Sequence, residues 1–118
     1  MPKTRLTPEV IEMVAERFRA LSEPARLQVL NALRNGEKTV GDLAEATGLS
    51  TANVSKHLQI LHAAGFVTRR KQGLHVFYDL AGEDVFRLCD IMCGRLEAEA
   101  EARRKALRGQ GGSHAETR

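Results

Sequence analysis

Apolar residues along most of this chain recur at spacings of three and four, the period of helices that bury one face. Ile11, Val14, Phe18 and Leu21 form the first such stripe, behind Thr7-Pro8-Glu9. That tripeptide is a helix start, with a capping hydroxyl, a proline in the first turn and an acid at the positive dipole end. Ser22-Glu23-Pro24 repeats the start signal, and Leu27, Leu30 and Leu33 carry a second helix toward Gly36. Thr39-Val40-Gly41-Asp42 has the capping spacing of a hydroxyl and an acid three residues on, and opens a short third helix through Leu43 and Ala44 that Gly48 ends. Ser50 caps a fourth, with Val54, Leu58 and Leu61 on its apolar face and Gly65 as its stop.

The period then changes. Phe66–Lys71 and Leu74–Tyr78 are β-prone runs around Gln72-Gly73, which predicts a hairpin. From Glu83 to about Leu107 the helical period returns, with Val85, Leu88, Cys89, Met92 and Leu96 on one side. Glu99 with Arg103 and Glu101 with Lys105 add i,i+4 ion pairs. The expected order is α-α-α-α-β-β-α, mainly helical with one small hairpin, in a single domain over residues 7–108. Residues 1–6 and 109–118 are expected to be tails, the second frayed and nearly devoid of apolar side chains.

Composition agrees with one packed domain: 118 residues, 42% hydrophobic and 28% charged. No apolar run approaches the roughly 18 residues a bilayer requires, and Met-Pro-Lys-Thr-Arg lacks the apolar core of a secretory signal. The expectation is a cytoplasmic protein without membrane contact, its two cysteines thiols and not a disulfide framework.

Charge sharpens this picture through its location. Residues 1–50 and 81–118 each balance seven basic against seven acidic side chains, whereas residues 51–80 hold Lys56, Arg69, Arg70 and Lys71 against Asp79 alone. The entire excess of +3 therefore lies over the fourth helix and the hairpin. Such a segment fits a polyanion-binding surface, and a solvated charge run would look similar.

Helix, short turn, helix and basic hairpin in that order suggest a helix-turn-helix with an appended wing. Two closely crossing helices favour a small residue on the first, a glycine able to take positive φ at the turn and an apolar residue facing back from the second; Ala44, Gly48 and Val54 meet these demands. An ordinary helical hairpin would also use a small residue and a glycine. If the fourth helix enters a major groove, its N-terminal residues Ser50, Thr51, Ala52, Asn53, Lys56 and His57 face double-stranded DNA. Asn53 suits the paired bonds an adenine offers, and Lys56 suits a guanine or a phosphate. His57 either touches DNA or orders its neighbours. Arg69, Arg70 and Lys71, with His75 across the turn, are wing candidates for phosphate or minor-groove contacts.

These residues together resemble the ArsR family of bacterial winged helix-turn-helix repressors. The likeness is carried by Leu21-Ser22-Glu23-Pro24-Ala25-Arg26-Leu27, Val40-Gly41-Asp42-Leu43-Ala44, Val54-Ser55-Lys56-His57-Leu58-Gln59-Ile60-Leu61 and Ala64-Gly65-Phe66-Val67, and it spans roughly residues 10–100. Ser55 also belongs to the candidate DNA-binding set. The resemblance implies a homodimer joined through the first and last helices, bound to an inverted-repeat operator and released by an effector. Leftover apolar stripes at both ends and the match of two-fold symmetry to palindromic sites agree with that.

Two ligand sets of the family are missing. The arsenic-type sequence Cys-Val-Cys-Asp-Leu is Thr39-Val40-Gly41-Asp42-Leu43 here, and the zinc-type Asp-x-His on the last helix is Asp84-Val85-Phe86. What remains is Cys89 and Cys93, four residues apart on one helical face. Thiolates suit As(III), Zn or another thiophilic ion, and a dithiol can be oxidised or persulfidated. Two ligands do not close a zinc site, so a third would come from elsewhere. The competing reading makes both cysteines small apolar residues in a dimer stripe, the protein then being an effector-independent repressor. No cofactor is required for the fold. An enzyme is not expected, because no phosphate loop, cysteine–histidine pairing or obvious pocket is evident. A winged-helix protein-interaction module without DNA binding is the remaining alternative; it would have shed the basic and short polar residues that this chain keeps.

Overall fold

The computed structural model describes residues 5–113, with side chains up to 109. Five α-helices and one hairpin follow in the expected order: α1 (Pro8–Leu21), α2 (Pro24–Ala32), α3 (Val40–Thr47), α4 (Thr51–Ala63), β1 (Val67–Gln72), β2 (His75–Leu80) and α5 (Asp84–Ser113). The chain divides into two compact units, one ending at Gly82 and one beginning at Glu83.

Local chemistry explains most of the boundaries. Thr7 Oγ1 accepts from Val10 N at 3.2 Å, and Ser50 Oγ accepts from Asn53 N at 3.1 Å. Thr39 and Asp42 form a reciprocal capping box, with bonds of 3.1 and 3.2 Å. Ser22 departs from expectation: its hydroxyl donates to Arg19 O at 2.8 Å and closes α1, leaving Glu23 as the α2 cap without a side-chain bond. The end of α2 tightens into a 3-10 turn, Leu33–Asn35. Gly48 ends α3 at φ 78°, where a side chain would be strained, and donates to Ala44 O at 2.9 Å. At the end of α4, Phe66 N reaches Leu61 O at 2.9 Å and Gly65 N reaches His62 O at 3.1 Å, the paired bonds of a Schellman motif.

The core of the first unit lies where α2, α3 and α4 meet the hairpin. Val29, Leu30, Leu33, Leu43, Val54, Leu58 and Leu61 are at most 1% exposed, each worth about 1.5–3 kcal/mol relative to exposure. Val67 and Tyr78 extend the core beneath the hairpin. Val29 takes an inner position in place of the expected Leu27, which is exposed. The hairpin is antiparallel, Val67 opposite Leu80 through Gln72 opposite His75, so the loop is Gly73-Leu74 and not Gln72-Gly73. Gly73 takes φ 62° and Leu74 stands at the tip, 98% exposed. On its other edge β2 pairs with one further residue, Lys38, through bonds of 2.9 and 2.8 Å to and from Tyr78.

In the second unit, α5 runs past the expected stop at Leu107 and continues to Ser113. Of the expected tails, residues 1–4 and 114–118 lie outside the described residues. Val85 and Phe86 are buried, whereas Leu88, Ile91, Met92 and Leu96 are exposed. The ion pairs on α5 also differ from expectation. Glu101 pairs with Arg104 at i,i+3 and approaches Arg108 at 3.8 Å. No helix among the described residues is long and apolar enough to cross a membrane.

Candidate nucleic-acid interface

Packing divides α4 into two faces. Val54, Leu58 and Leu61 are buried, and that orientation leaves Thr51, Ala52, Asn53 and Lys56 in solvent along the first two turns. Ser50 is exposed, with its hydroxyl committed to the cap; Ser55 is half-buried. The side chains of Thr51, Asn53 and Lys56 form no hydrogen bond among the described residues, so their polar groups face water.

His57 turns away from this exposed set. It is half-buried, and Arg26 Nη1 lies 3.4 Å from its Nδ1. Arginine can only donate, so Nδ1 is the unprotonated ring nitrogen. The same guanidinium donates to Ala20 O at 2.6 Å and Arg19 O at 3.3 Å, which ties the end of α1, the start of α2 and the middle of α4 together. Burial pushes the His57 pKa down; the Arg26 and Lys56 charges add to this, and Glu23 opposes it. His57 is thereby linked to Arg26 within the protein.

The wing splits its basic residues by strand alternation. The side chains of Arg69 and Lys71 share one face of β1 and form no hydrogen bond or ion pair among the described residues, whereas that of Arg70, on the other face, is held by three hydrogen bonds. Its Nε and Nη2 donate to the two Glu37 carboxylate oxygens at 2.9 and 2.6 Å, and its Nη1 donates to Gln72 Oε1 at 2.5 Å. The guanidinium also stacks 4.9 Å from the centre of the Phe77 ring. Hydrogen bonding from Arg70 holds the Glu37 carboxyl below its usual pKa. His75 is exposed near the turn, its ring 6.2 Å from that of Phe77. Glu37 escaped the sequence reading because nothing local links it to a partner 33 residues away.

The separate candidate set on α5 is Cys89, half-buried, and Cys93, exposed; both are free thiols. Among the described residues no three His, Cys, Asp or Glu side chains gather as a metal site. At the arsenic-type position Thr39 and Asp42 serve the capping box of α3. Against the expectation of no obvious pocket, open clefts are present among the described residues, one of about 290 Å³ among Glu16, Arg19, Ala20, Arg26, Ile60 and Ala64 and another of about 350 Å³ among Gln28, Ala32, Lys38 and Thr47.

A family model described as "Bacterial regulatory protein, arsR family" matches residues 23–69, from the start of α2 into β1. The HTH-type transcriptional regulator NmtR of Mycobacterium tuberculosis is 37% identical over 89 residues, covering 75% of this chain and 74% of that protein. The chain belongs to the arsR family of bacterial regulatory proteins. The HTH-type transcriptional regulator Rv0324 of M. tuberculosis is 40% identical over 79 residues, 67% of this chain. The match spans only 35% of that longer protein. Among solved structures, the homodimeric winged helix-turn-helix DNA-binding domain Mb0332 of Mycobacterium bovis superposes with a TM-score of 0.71 at 33% identity, covering 85% of this chain and 93% of that one. The fold is therefore a winged helix-turn-helix, with α3 and α4 as the motif and β1–β2 as the wing. Its relatives are named as transcriptional regulators, a class distinct from enzymes.

Proposed function

We propose that this protein is a sequence-specific, double-stranded-DNA-binding repressor that acts in the cytoplasm as a homodimer, with residues 7–108 as its working domain. The observation that carries this reading is the first two turns of α4, where Ser50, Thr51, Ala52, Asn53 and Lys56 are exposed on a helix that leads into, and packs against, the basic hairpin. In the proposed complex these turns enter the major groove, Asn53 and Lys56 read base edges or phosphates, and Ser50, Thr51 and Ser55 set the register on the backbone. Arg69, Lys71 and His75 extend the surface along the wing. Arg70 and His57 act from behind it, through Glu37 and Arg26. The homodimeric state of the Mb0332 domain supports a two-fold reader of an inverted repeat. So do the exposed apolar residues Ile11, Val14 and Phe18 on α1 and Leu88, Met92 and Leu96 on α5, each set needing a cover.

Effector control is the finer part of the proposal. Cys89 and Cys93 occupy one face of α5 as free and at least partly accessible thiols, a pair that suits As(III), Zn, another thiophilic ion or a redox modification. Two thiolates leave zinc short of ligands, so that ion would need donors from a second copy.

The test is a fluorescence-anisotropy titration against promoter DNA from upstream of the protein's own gene, repeated over a range of salt and with the protein reduced, oxidised, or supplied with arsenite or zinc. Tight binding that weakens steeply with salt is expected. Absence of binding to any fragment would favour a protein-interaction module. Release under a thiol-directed condition, lost in the Cys89→Ser, Cys93→Ser double variant, supports sensing; indifference to every condition makes the cysteines structural.

A further inference from the structure

The wing is a two-stranded hairpin, and such a hairpin is marginally stable by itself in water. At its base it is tied to the core by buried Val67 and Tyr78 and by the backbone pairing of Tyr78 with Lys38. Farther out, the tie from β1 to the rest of the chain is the bidentate grip of Arg70 on Glu37, laid across the Phe77 ring. Glu37 stands next to Lys38, so its carboxylate is delivered by the same segment whose backbone already pairs with β2. The planar fork of arginine matches two carboxylate oxygens and stacks on a ring, which a lysine point charge does not reproduce.

We propose that Glu37 is a positioning residue of the DNA interface: through Arg70 it holds the wing at the angle from which Arg69 and Lys71 reach the DNA backbone. This rests on the reading of the wing as a DNA-contacting element. The three consecutive basic residues then have two jobs, assigned by strand alternation. Arg69 and Lys71 are left for phosphates, and Arg70 is held by Glu37. The pair is part-exposed, with side chains 50% and 38% accessible. Its effect is accordingly modest, about three- to fivefold in affinity by the usual worth of exposed ion pairs.

Two measurements on the full chain decide the matter. Hydrogen exchange without DNA should show faster exchange of wing amides in Glu37→Ala than in the unaltered protein, with the amides of α4 unchanged. In anisotropy titrations, Glu37→Ala and Arg70→Ala should each weaken promoter binding about three- to fivefold at an unchanged salt slope. The double variant should be no weaker than the worse single one, because both substitutions break one link. Wing exchange that ignores Glu37 overturns the proposal. So does an Arg70→Ala slope reduced by about one phosphate while Glu37→Ala binds as well as, or better than, the parent, since Arg70 would then contact DNA and Glu37 would mask it. If the unaltered protein binds no promoter fragment, the repressor reading and the DNA half of this proposal fail together, and the exchange result alone decides the clasp.

Discussion

Helices α1 and α4 carry nearly the same apolar spacing and meet opposite fates. Val54, Leu58 and Leu61 on α4 are 0% exposed, whereas Ile11, Val14 and Phe18 on α1 are 51%, 39% and 55% exposed. The cause is the company each keeps. α4 is packed against α2, α3 and β1, while on α1 Ala20 is the one buried residue. A stripe marks the face of a helix that seeks cover; it does not say whether the same chain supplies that cover. For α4 the chain supplies it, and for α1 the proposed partner copy does.

The largest expected effect tests the covered stripe. Leu58→Ala should lower unfolding free energy by about 2–5 kcal/mol in urea melts, because a fully buried leucine leaves both lost transfer energy and a cavity. A loss under about 1 kcal/mol would show that the site collapses freely and that α4 is not the centre of the core.

The uncovered stripe is tested by Phe18→Glu. Helical circular dichroism should survive, and self-association measured by sedimentation should weaken by at least about tenfold, or 1.4 kcal/mol. Unchanged association would remove α1 from the dimer interface.

The polar side of α4 comes next. Lys56→Ala should cost about 1 kcal/mol of promoter binding while leaving the melting temperature near that of the parent. If affinity holds and the salt slope is unmoved, the first turns of α4 are not the reading surface.

The smallest effect concerns the half-buried histidine. With a folded pKa below the ordinary 6.5, His57 binds fewer protons folded than unfolded as pH falls below that value. Its contribution to stability is therefore complete above about pH 6.5 and declines on acidification toward its folded pKa. The melting temperature should fall from pH 7 to pH 5, and His57→Gln should show a shallower fall. An equal fall in both proteins would detach His57 from any acid sensitivity.

How much of this was legible beforehand follows from the range of each interaction. Caps at Thr7, Thr39 and Ser50 act within three residues, and the structure forms each of them. The glycine stop after α3 is equally local. Errors occurred where two local solutions compete. Ser22 satisfies a carbonyl behind it instead of an amide ahead, and the hairpin turn slides one residue to Gly73-Leu74 because cross-strand pairing extends through Gln72 and His75. Helix α5 runs past Leu107 to Ser113.

The sequence by itself determined the type and order of the elements, the apolar face of each helix and the concentration of positive charge over α4 and the wing, because periodicity, capping and composition are properties of neighbouring residues. Only the tertiary structure decided which charged and polar groups are free. Arg69, Arg70 and Lys71 read alike along the chain, as do Lys56 and His57, yet Glu37 engages one of the first set and Arg26 one of the second. Each of those partners lies about thirty residues away, Glu37 at 33 and Arg26 at 31. Contacts over such separations exist only once the core has brought the helices and the hairpin together.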